Sequence, residues 1–413
     1  MNHPEFSAAE REALVSLAVI AVETLLKRNI CKIAFHPVPV LLAGASYPGV
    51  WLEHNQDNIF LAEFAPENAW ATQEIFLKGQ REDGLLPFCV PRDPGSEFFR
   101  DPVVYWQVQT VFPFVRCAVT VADRCGRPEE DYRRIYEAGC RYDRWFGRCR
   151  NRAGTGLVEM YCEYDTGHDN SPRVTDGGIP HSCPGNEASN MPDLPCMPIL
   201  SADLSATRYG GRIALAELAG RLGLDAEAAR WREEAAELRA GIQRWCYDPE
   251  TDFYYDRDRE GWRRYQSEHI TRLFLNHVVD QEEFDHIYHR YFESPDEFDT
   301  PFPFPSMAAS DPSFVRECPS NCWGANSQAL TALRALFWLP EYGRADECDA
   351  LLGAWAKLFI ATGGEFCQEV NPFTRQPLPS AGNYTPAMLL CIEAAKRFGD
   401  FDPVSTARRI RRA

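Results

Sequence analysis

The feature that most restricts this chain is a helical hydrophobic period that recurs along nearly its whole length, interrupted alternately by short and by long connections. In 225–246, Ala228, Trp231, Ala235, Leu238, Ile242 and Trp245 follow one another in steps of three and four, while the intervening positions are rich in Arg and Glu. That spacing draws one apolar stripe along a helix. Comparable segments cover 8–28, 66–81, 102–125, 129–149, 203–222, 266–278, 281–292, 325–337, 343–361 and 384–397. The exception is 252–265, DFYYDRDREGWRRY, which predicts a β-hairpin around Arg259-Glu260-Gly261.

The connections alternate in character. Short polar turns such as 221–225 follow some helices, whereas 34–58, 84–101, 151–202, 293–324 and 362–383 are long and rich in Pro, Gly and aromatic residues. Structureless connections beyond about 15 residues are uncommon unless they carry function. Long links after every second helix imply helical hairpins whose long links collect on one rim. Six hairpins closed into a ring, an (α/α)6 toroid, satisfy that order. The expected fold is therefore all-α, with a small β-hairpin and long rim loops. No low-complexity linker or compositional break divides the chain, so one domain over 1–413 is expected.

Charge narrows the partners. A formal net charge of −17 argues against nucleic acid, whose binding rests on Lys and Arg neutralising phosphates, and against a membrane surface, which attracts basic segments. The first residues lack a basic stretch followed by a cleavage site, so no signal peptide is expected. The apolar run 13–26 is interrupted by Glu23 and is too short to span a bilayer. Fifteen cysteines are scattered with no C-x-x-C pair, Cys318 and Cys322 being the closest candidates for one. That pattern fits thiols in a reducing cytoplasm better than a disulfide framework or a zinc site. The trio Glu53-His54-Asn55 has metal-type donors, but adjacent side chains point in different directions, so neither metal nor cofactor is expected. Aromatic residues at 12%, ten of them Trp, suit stacking on the apolar faces of sugars, although a large helical core accounts for the excess more simply.

The sharpest segment is Glu163-Tyr164-Asp165-Thr166-Gly167-His168-Asp169-Asn170-Ser171-Pro172-Arg173. It crowds three carboxylates into a loop outside any apolar stripe. Neighbouring negative charge and burial raise a carboxyl pKa, as a proton donor to a leaving oxygen requires. Composition alone favours an Asx-turn built on Asp169 and Asn170. The string 165–173 resembles the E/D-S/T-G-x-D-N/Y-S-P-R signature of glycoside hydrolase family 63 and the related trehalases; within that group, the length and single-domain layout are most similar to the bacterial mannosylglycerate and glucosylglycerate hydrolases. That resemblance implies that Asp169 is the general acid and that Asp165, His168, Asn170 and Arg173 border the substrate. Asp165 stands where Glu is common and His168 where Trp is common.

Other stretches agree in order. Trp51-Leu52-Glu53-His54-Asn55-Gln56-Asp57-Asn58-Ile59-Phe60 resembles the family's early aromatic loop, implying that Trp51 and Asp57 contact the sugar; capping of the following helix is the competing role of Asp57. The segment from Glu74 to Pro87, with Gln80, resembles the family's helix end before its second long loop. Trp323, in Cys318-Pro-Ser-Asn321-Cys322-Trp323-Gly324-Ala325-Asn326, resembles a stacking residue at a helix start, with core packing as the alternative. Tyr384 opens the last helical segment and joins the candidate contacts.

The resembling families carry an E-x-x-N/D-P-x-T-G segment whose Glu activates water. Here the matching run is Gln368-Glu369-Val370-Asn371-Pro372-Phe373-Thr374-Arg375, with Glu only two residues before Asn371. The resemblance, read with one residue deleted, implies Glu369 as the base, with Glu365 in reserve. It further implies inversion, with the two carboxyls ~6.5–9.5 Å apart, acting on an α-glucosyl or α-mannosyl group of a small carbohydrate. Arg81, Arg173, Arg208 and Arg316 are placed to grip an anionic aglycone, or to form ordinary ion pairs. Two rivals stand: a sugar 2-epimerase using a pair among His269, His277, His286 and His289, and a sugar-binding relative without catalysis.

Overall fold

The computed structural model describes residues 4–44, 47–317, 321–379 and 382–412. The helices that build it are α1 (Ala8–Thr24), α2 (Asp57–Leu61), α3 (Pro66–Lys78), α4 (Phe114–Arg124), α5 (Glu129–Cys149), α6 (Ala202–Arg221), α7 (Asp225–Cys246), α8 (Ile270–Leu275), α9 (Gln281–Ile287), α10 (Ala329–Glu341), α11 (Ala345–Thr362) and α12 (Thr385–Gly399). The even-numbered helices touch in a closed cycle, α2 to α4, α6, α8, α10, α12 and back to α2. The odd-numbered helices pack around them. This is the (α/α)6 toroid that the alternation of links predicts.

Burial follows the stripes. On α7, Ala228, Trp231, Ala235, Leu238 and Ile242 are buried, and Cys246 rather than Trp245 completes the stripe. The inner helices are more deeply buried than a one-face stripe requires, and all six residues of α8, including Thr271 and Arg272, are buried. Close approach needs small residues at a few points. On α6 a Cβ at Gly210 would lie 2.0 Å from the Asn276 side chain, so this position tolerates only glycine without rearrangement.

The links from inner to outer helices are short: 62–65, 125–128, 222–224, 276–280 and 342–344. Those from outer to inner helices are long, and each enters an inner helix at its N-terminus. The long loops therefore gather at one mouth of the ring, where the partly positive helix ends favour carboxylates.

The sequence reading needs correction in three places. The segment 102–113 is not part of a helix; α4 starts at Phe114, after Pro113. Val104 pairs with Cys89 and Gln109 adopts φ 32°, so this stretch runs as an irregular strand-like segment along the mouth. Pro102 and Pro113 bracket it with residues that cannot donate to a helix. In 266–278 only α8 is helical. The Arg-rich C-terminus forms a further helix, α13 (Pro403–Arg412), which packs on α1. The hairpin expected in 252–265 is present: Asp256–Arg257 pairs antiparallel with Trp262–Arg263 and continues through Ile199–Leu200 to Glu159–Met160. No helix among the described residues is long and apolar enough to cross a membrane.

Candidate active site

At the mouth of the inner ring lies a cavity of about 510 Å³, within the usual range of about 300–1,000 Å³ for small-molecule sites. Its wall is aromatic, with Tyr47, Trp51, Phe88, Phe98, Phe99, Trp106, Tyr164, Trp323 and Tyr384, and its polar groups are few: Glu53, His54, Gln107, Gln109, Asp169, Ser182, Asn321 and Gln368. Flat rings around two carboxylates suit a ligand with apolar faces and many hydroxyls.

Asp169 sits at the end of a tight turn. Gly167 has φ 69°, and a Cβ there would lie 2.4 Å from the Glu53 carboxylate. Glycine is thus needed both for the backbone shape and for the approach of Glu53. The Asp169 carbonyl accepts from Trp323 N at 3.0 Å, tying the loop to the 321–328 segment. Its Oδ2 accepts from Asn321 Nδ2 at 2.9 Å, while the buried Oδ1 has no hydrogen-bond partner. Burial first, then the nearby Glu53 charge, pushes this carboxyl up to about 7; Glu163 adds to the rise, and Asn321 and His181 oppose it. A carboxyl that keeps its proton near neutrality is suited to proton donation. A relay of side chains holds it: Tyr47 OH donates to Gln368 Oε1 at 2.7 Å, and Gln368 Nε2 donates to Asn321 Oδ1 at 2.8 Å. Burial and the Asp169, Glu53 and Glu369 charges raise the Tyr47 pKa, keeping it a donor.

Glu369 lies elsewhere than the sequence reading puts it. The strand Glu369–Val370 pairs antiparallel with Ser327–Gln328, and neighbouring side chains in an extended segment face opposite sides. Gln368 faces the cavity and Glu369 faces away. The Glu369 carboxylate is fully buried and accepts from Asn321 N, from Cys322 N at 2.9 Å, from Asn326 Nδ2 at 2.9 Å and from Gln328 Nε2 at 3.1 Å. Its acceptor sites are filled by the loop that carries Asn321, so it holds that loop rather than a water. The apparent one-residue deletion is unnecessary, since Gln368 occupies the cavity-facing position. Glu369→Gln, which turns an amide donor toward these donors, is expected to cost about 1–3 kcal/mol of stability by denaturant titration. Any activity lost with it is expected not to return with azide.

Apart from Tyr164 and Gly167, which line the cavity beside Asp169, the rest of the 163–173 string is a support. Asp165 accepts from Arg150 through both oxygens and from the backbone N of Val108 (3.0 Å), Tyr161 (2.8 Å) and Cys162 (3.2 Å). Arg173 is buried between Asp203 and Asp256, bonding each through two nitrogens, and also faces His168 Nδ1 at 2.7 Å. His168 is buried; burial and Arg272 hold its pKa down at about 3, so it is neutral. It donates through Nε2 to Glu268, and its ring lies 5.4 Å from that of Trp323. Asn170, at φ 59°, uses its side chain to bond Asn321 O at 2.9 Å. None of these four lines the cavity. The string pins the loop to α6, α8 and the hairpin, so that Asp169 is its one carboxylate in the cavity wall.

Of the other candidates, Trp51, Trp323 and Tyr384 line the cavity. Asp57 does not. It accepts from His54 Nδ1 at 3.1 Å and from Gln56 Nε2 at 2.9 Å, and thereby orients the His54 ring, whose Nε2 lies 3.3 Å from Tyr384 OH. Gln80 is turned to the ring, donating to Gly84 O and Ala138 O. Glu365 is exposed and outside the cavity. Arg81 pairs with Asp83 and Glu187, Arg208 with Asp143, and Arg316 lies over Phe314, none of them in the wall. The epimerase reading loses its base pair: His269 is bonded to Ser267 and Tyr254 O, His277 to Glu341, His289 to Glu293, and neither these nor His286 faces the cavity. Among the described residues, Cys162, Asp165 and Cys183 bring metal-type donors together. The Arg150 guanidinium already donates to Asp165 and to Cys183 Sγ, supplying the positive charge there. Cys318, of the pair noted in the sequence, lies outside the described residues.

Glu53, His54, Tyr47, Trp106, Gln109, Asn321 and Gln368 escaped the sequence reading as cavity residues. Glu53 and His54 stood within the quoted aromatic loop, and Gln368 stood at the three-back position. The 105–109 wall gave no signal, because its spacing imitates a helix.

The comparisons with known proteins agree with this geometry. The Mannosylglycerate hydrolase MGH1-like glycoside hydrolase domain matches residues 57–385. Mannosylglycerate hydrolases MGH1 and MGH2 of Selaginella moellendorffii are each 28% identical over 185 residues, 41% of this chain and 35% of theirs, so the match spans about a third of those relatives. The GH63 mannosylglycerate hydrolase of Thermus thermophilus in complex with Tris superposes with a TM-score of 0.72 at 18% identity, covering 91% of this chain and 99% of that one. Neutral trehalase Nth1 of Saccharomyces cerevisiae gives 0.65 at 13% identity, covering 89% and 76%. With the family model spanning most of the toroid and the cavity at its mouth, this chain belongs to the MGH1-like glycoside hydrolase family.

Proposed function

We propose that the chain hydrolyses a short, neutral α-glucoside or α-mannoside from its non-reducing end, with inversion, and that Asp169 protonates the leaving oxygen. The observation that carries this reading is a carboxyl titrating at about 7 in the wall of an aromatic cavity of about 510 Å³. A cavity of about 510 Å³ suits one or two sugar units better than a long chain.

The aglycone is where this chain parts from the name of its family. The Thermus thermophilus structures include one with Tris and D-glycerate. Here the lining residues include no Lys or Arg, while two carboxylates, Glu53 and Asp169, are present. The internal residues outside the description, Ala45, Ser46, Cys318, Pro319, Ser320, Ser380 and Ala381, carry no cation either. Arg334 lies behind Glu53, 3.5 Å from its Oε1 and outside the wall, so a substrate carboxylate beside Glu53 would be desolvated and repelled with no wall cation of its own. A neutral leaving group avoids both costs.

A panel of neutral α-linked disaccharides, glycosylglycerols and glycosylglycerates, followed by proton NMR, tests this. The expected result is release of glucose or mannose first seen as the β anomer, with kcat/KM for the neutral substrates at least about tenfold above that for the glycerates, the size of one lost or opposed charge contact. Preference for the glycerates would refute neutrality of the aglycone. Silence on the whole panel would refute hydrolysis of short α-glycosides.

A further inference from the structure

Proton donation is half of glycoside hydrolysis by water; some group must also take a proton from the attacking water. Gln368, which faces the cavity, is an amide and has no basic oxygen of use at neutral pH. Glu369 faces away with its lone pairs occupied. We infer that Glu53 is the base in this chain. This inference rests on the hydrolase reading above.

Three observations converge on Glu53. It is the one carboxylate besides Asp169 among the residues described as lining the cavity. Its Oε1 is buried without a hydrogen-bond donor, as is Oδ1 of Asp169. Two carboxylates thus border the same hollow, each with one buried oxygen that accepts no hydrogen bond. The remainder of Glu53 is held. Gln109 Nε2 donates to Oε2 at 2.9 Å, and Gln107 Nε2 in turn donates to Gln109 Oε1 at 3.0 Å. Arg334, from α10, donates to the Glu53 carbonyl at 3.0 Å and lies 3.5 Å from Oε1, offering countercharge. Gly167 leaves room for the carboxylate where any side chain would collide with it.

The other basic group of the wall, His54, is committed on both ring nitrogens, to Asp57 and to Tyr384 OH. The irregular 105–111 segment acquires a purpose as well. With φ 32° at Gln109, its amide bonds Oε2 of Glu53, and Oε1 is left without a hydrogen bond.

The chemistry balances within these groups. Asp169 gives its proton to the glycosidic oxygen as the bond from that oxygen to the anomeric carbon breaks. A water forms a new bond to the same carbon and passes its proton to Glu53. The products are a free sugar and the aglycone alcohol. Proton exchange with solvent returns Asp169 to the acid and Glu53 to the carboxylate. The negative charge of Glu53 also raises the Asp169 pKa, so one residue serves both halves of the cycle.

The test compares wild type with Glu53→Gln, Glu53→Ala and Glu53→Asp on whichever panel glycoside wild type cleaves. Glu53→Gln is expected to lower kcat by about 100-fold or more, with KM within about threefold. Sodium azide is expected to restore turnover of Glu53→Ala and to yield a glycosyl azide, which a loss of structure would not produce. Glu53→Asp keeps the charge opposite Arg334, and is expected to fold and still to lose at least tenfold in kcat, because its carboxylate is withdrawn by one methylene. If Glu53→Gln or Glu53→Asp retains near wild-type kcat, or if folded Glu53→Ala is dead and stays dead in azide, Glu53 is not the base. Those results leave the hydrolase reading intact. Failure of wild type on every panel glycoside overturns that reading and this inference together.

Discussion

Asp169→Asn is expected to lower kcat by about 10²–10⁴-fold, the usual contribution of a positioned acid, with the fold retained. Asn keeps the shape of the side chain and can still accept from Asn321, but it has no proton to give. A variant retaining more than about one per cent of wild-type turnover would remove Asp169 from the acid role. Two pH measurements separate chemistry from damage. The donor must be protonated, so wild-type kcat/KM is expected to fall as pH rises through about 7, where burial and Glu53 place the Asp169 carboxyl. Stability has the matching sign. The folded pKa of about 7 lies above the ordinary 3.8, so the stabilisation tied to the protonated form is fully present below about 3.8 and is lost as pH rises through 7. The amide introduced by Asp169→Asn does not titrate. The stability of the variant relative to wild type is therefore expected to rise between pH 4 and pH 8, which denaturant titrations at the two pH values check.

The second large effect concerns a residue of the same loop that performs no chemistry. Asp165→Ala is expected to destabilise the protein by about 3–5 kcal/mol, the cost of leaving a buried charge without its partner. Arg150 is fully buried and gives two nitrogens to Asp165. The backbone N–H groups of Val108, Tyr161 and Cys162 converge on the same carboxylate. Removal strands the guanidinium and leaves three donors short of a partner. Guanidinium chloride unfolding is the measurement. A loss below about 1 kcal/mol would mean that water reaches Arg150 and that the 105–111 wall is not anchored through Asp165. Activity is expected to fall with stability here, whereas in Asp169→Asn the two part company.

These two residues also mark how far the sequence could be read. Both belong to one nine-residue string, and the resemblance of that string to a family signature pointed to all of its polar members as candidate contacts. The resemblance was informative about the loop and silent about direction. Asp165 and Arg173 turn inward because each has a buried opposite charge waiting, Arg150 in one case and Asp203 with Asp256 in the other. Those partners lie between 15 and 83 residues away, and no periodicity links them to the string. The 105–111 wall was misread for a different reason. Its apolar spacing imitates a helix, and its pairing with the strand at Cys89, the two bracketing prolines and the bonds with Asp165, Cys183 and Ala188 keep it extended.

What the amino-acid order determined by itself is the ring and the location of its mouth. Apolar stripes and link lengths are local properties, and six repeats of long link, inner helix, short turn and outer helix leave few ways to bury every stripe. The same order brought Asp169 forward. Only the tertiary structure decided which way neighbouring side chains face, above all at 368 and 369. In an extended segment a step of one residue exchanges cavity for core, and the register that makes the choice comes from pairing with Ser327 and Gln328, more than forty residues distant in the chain.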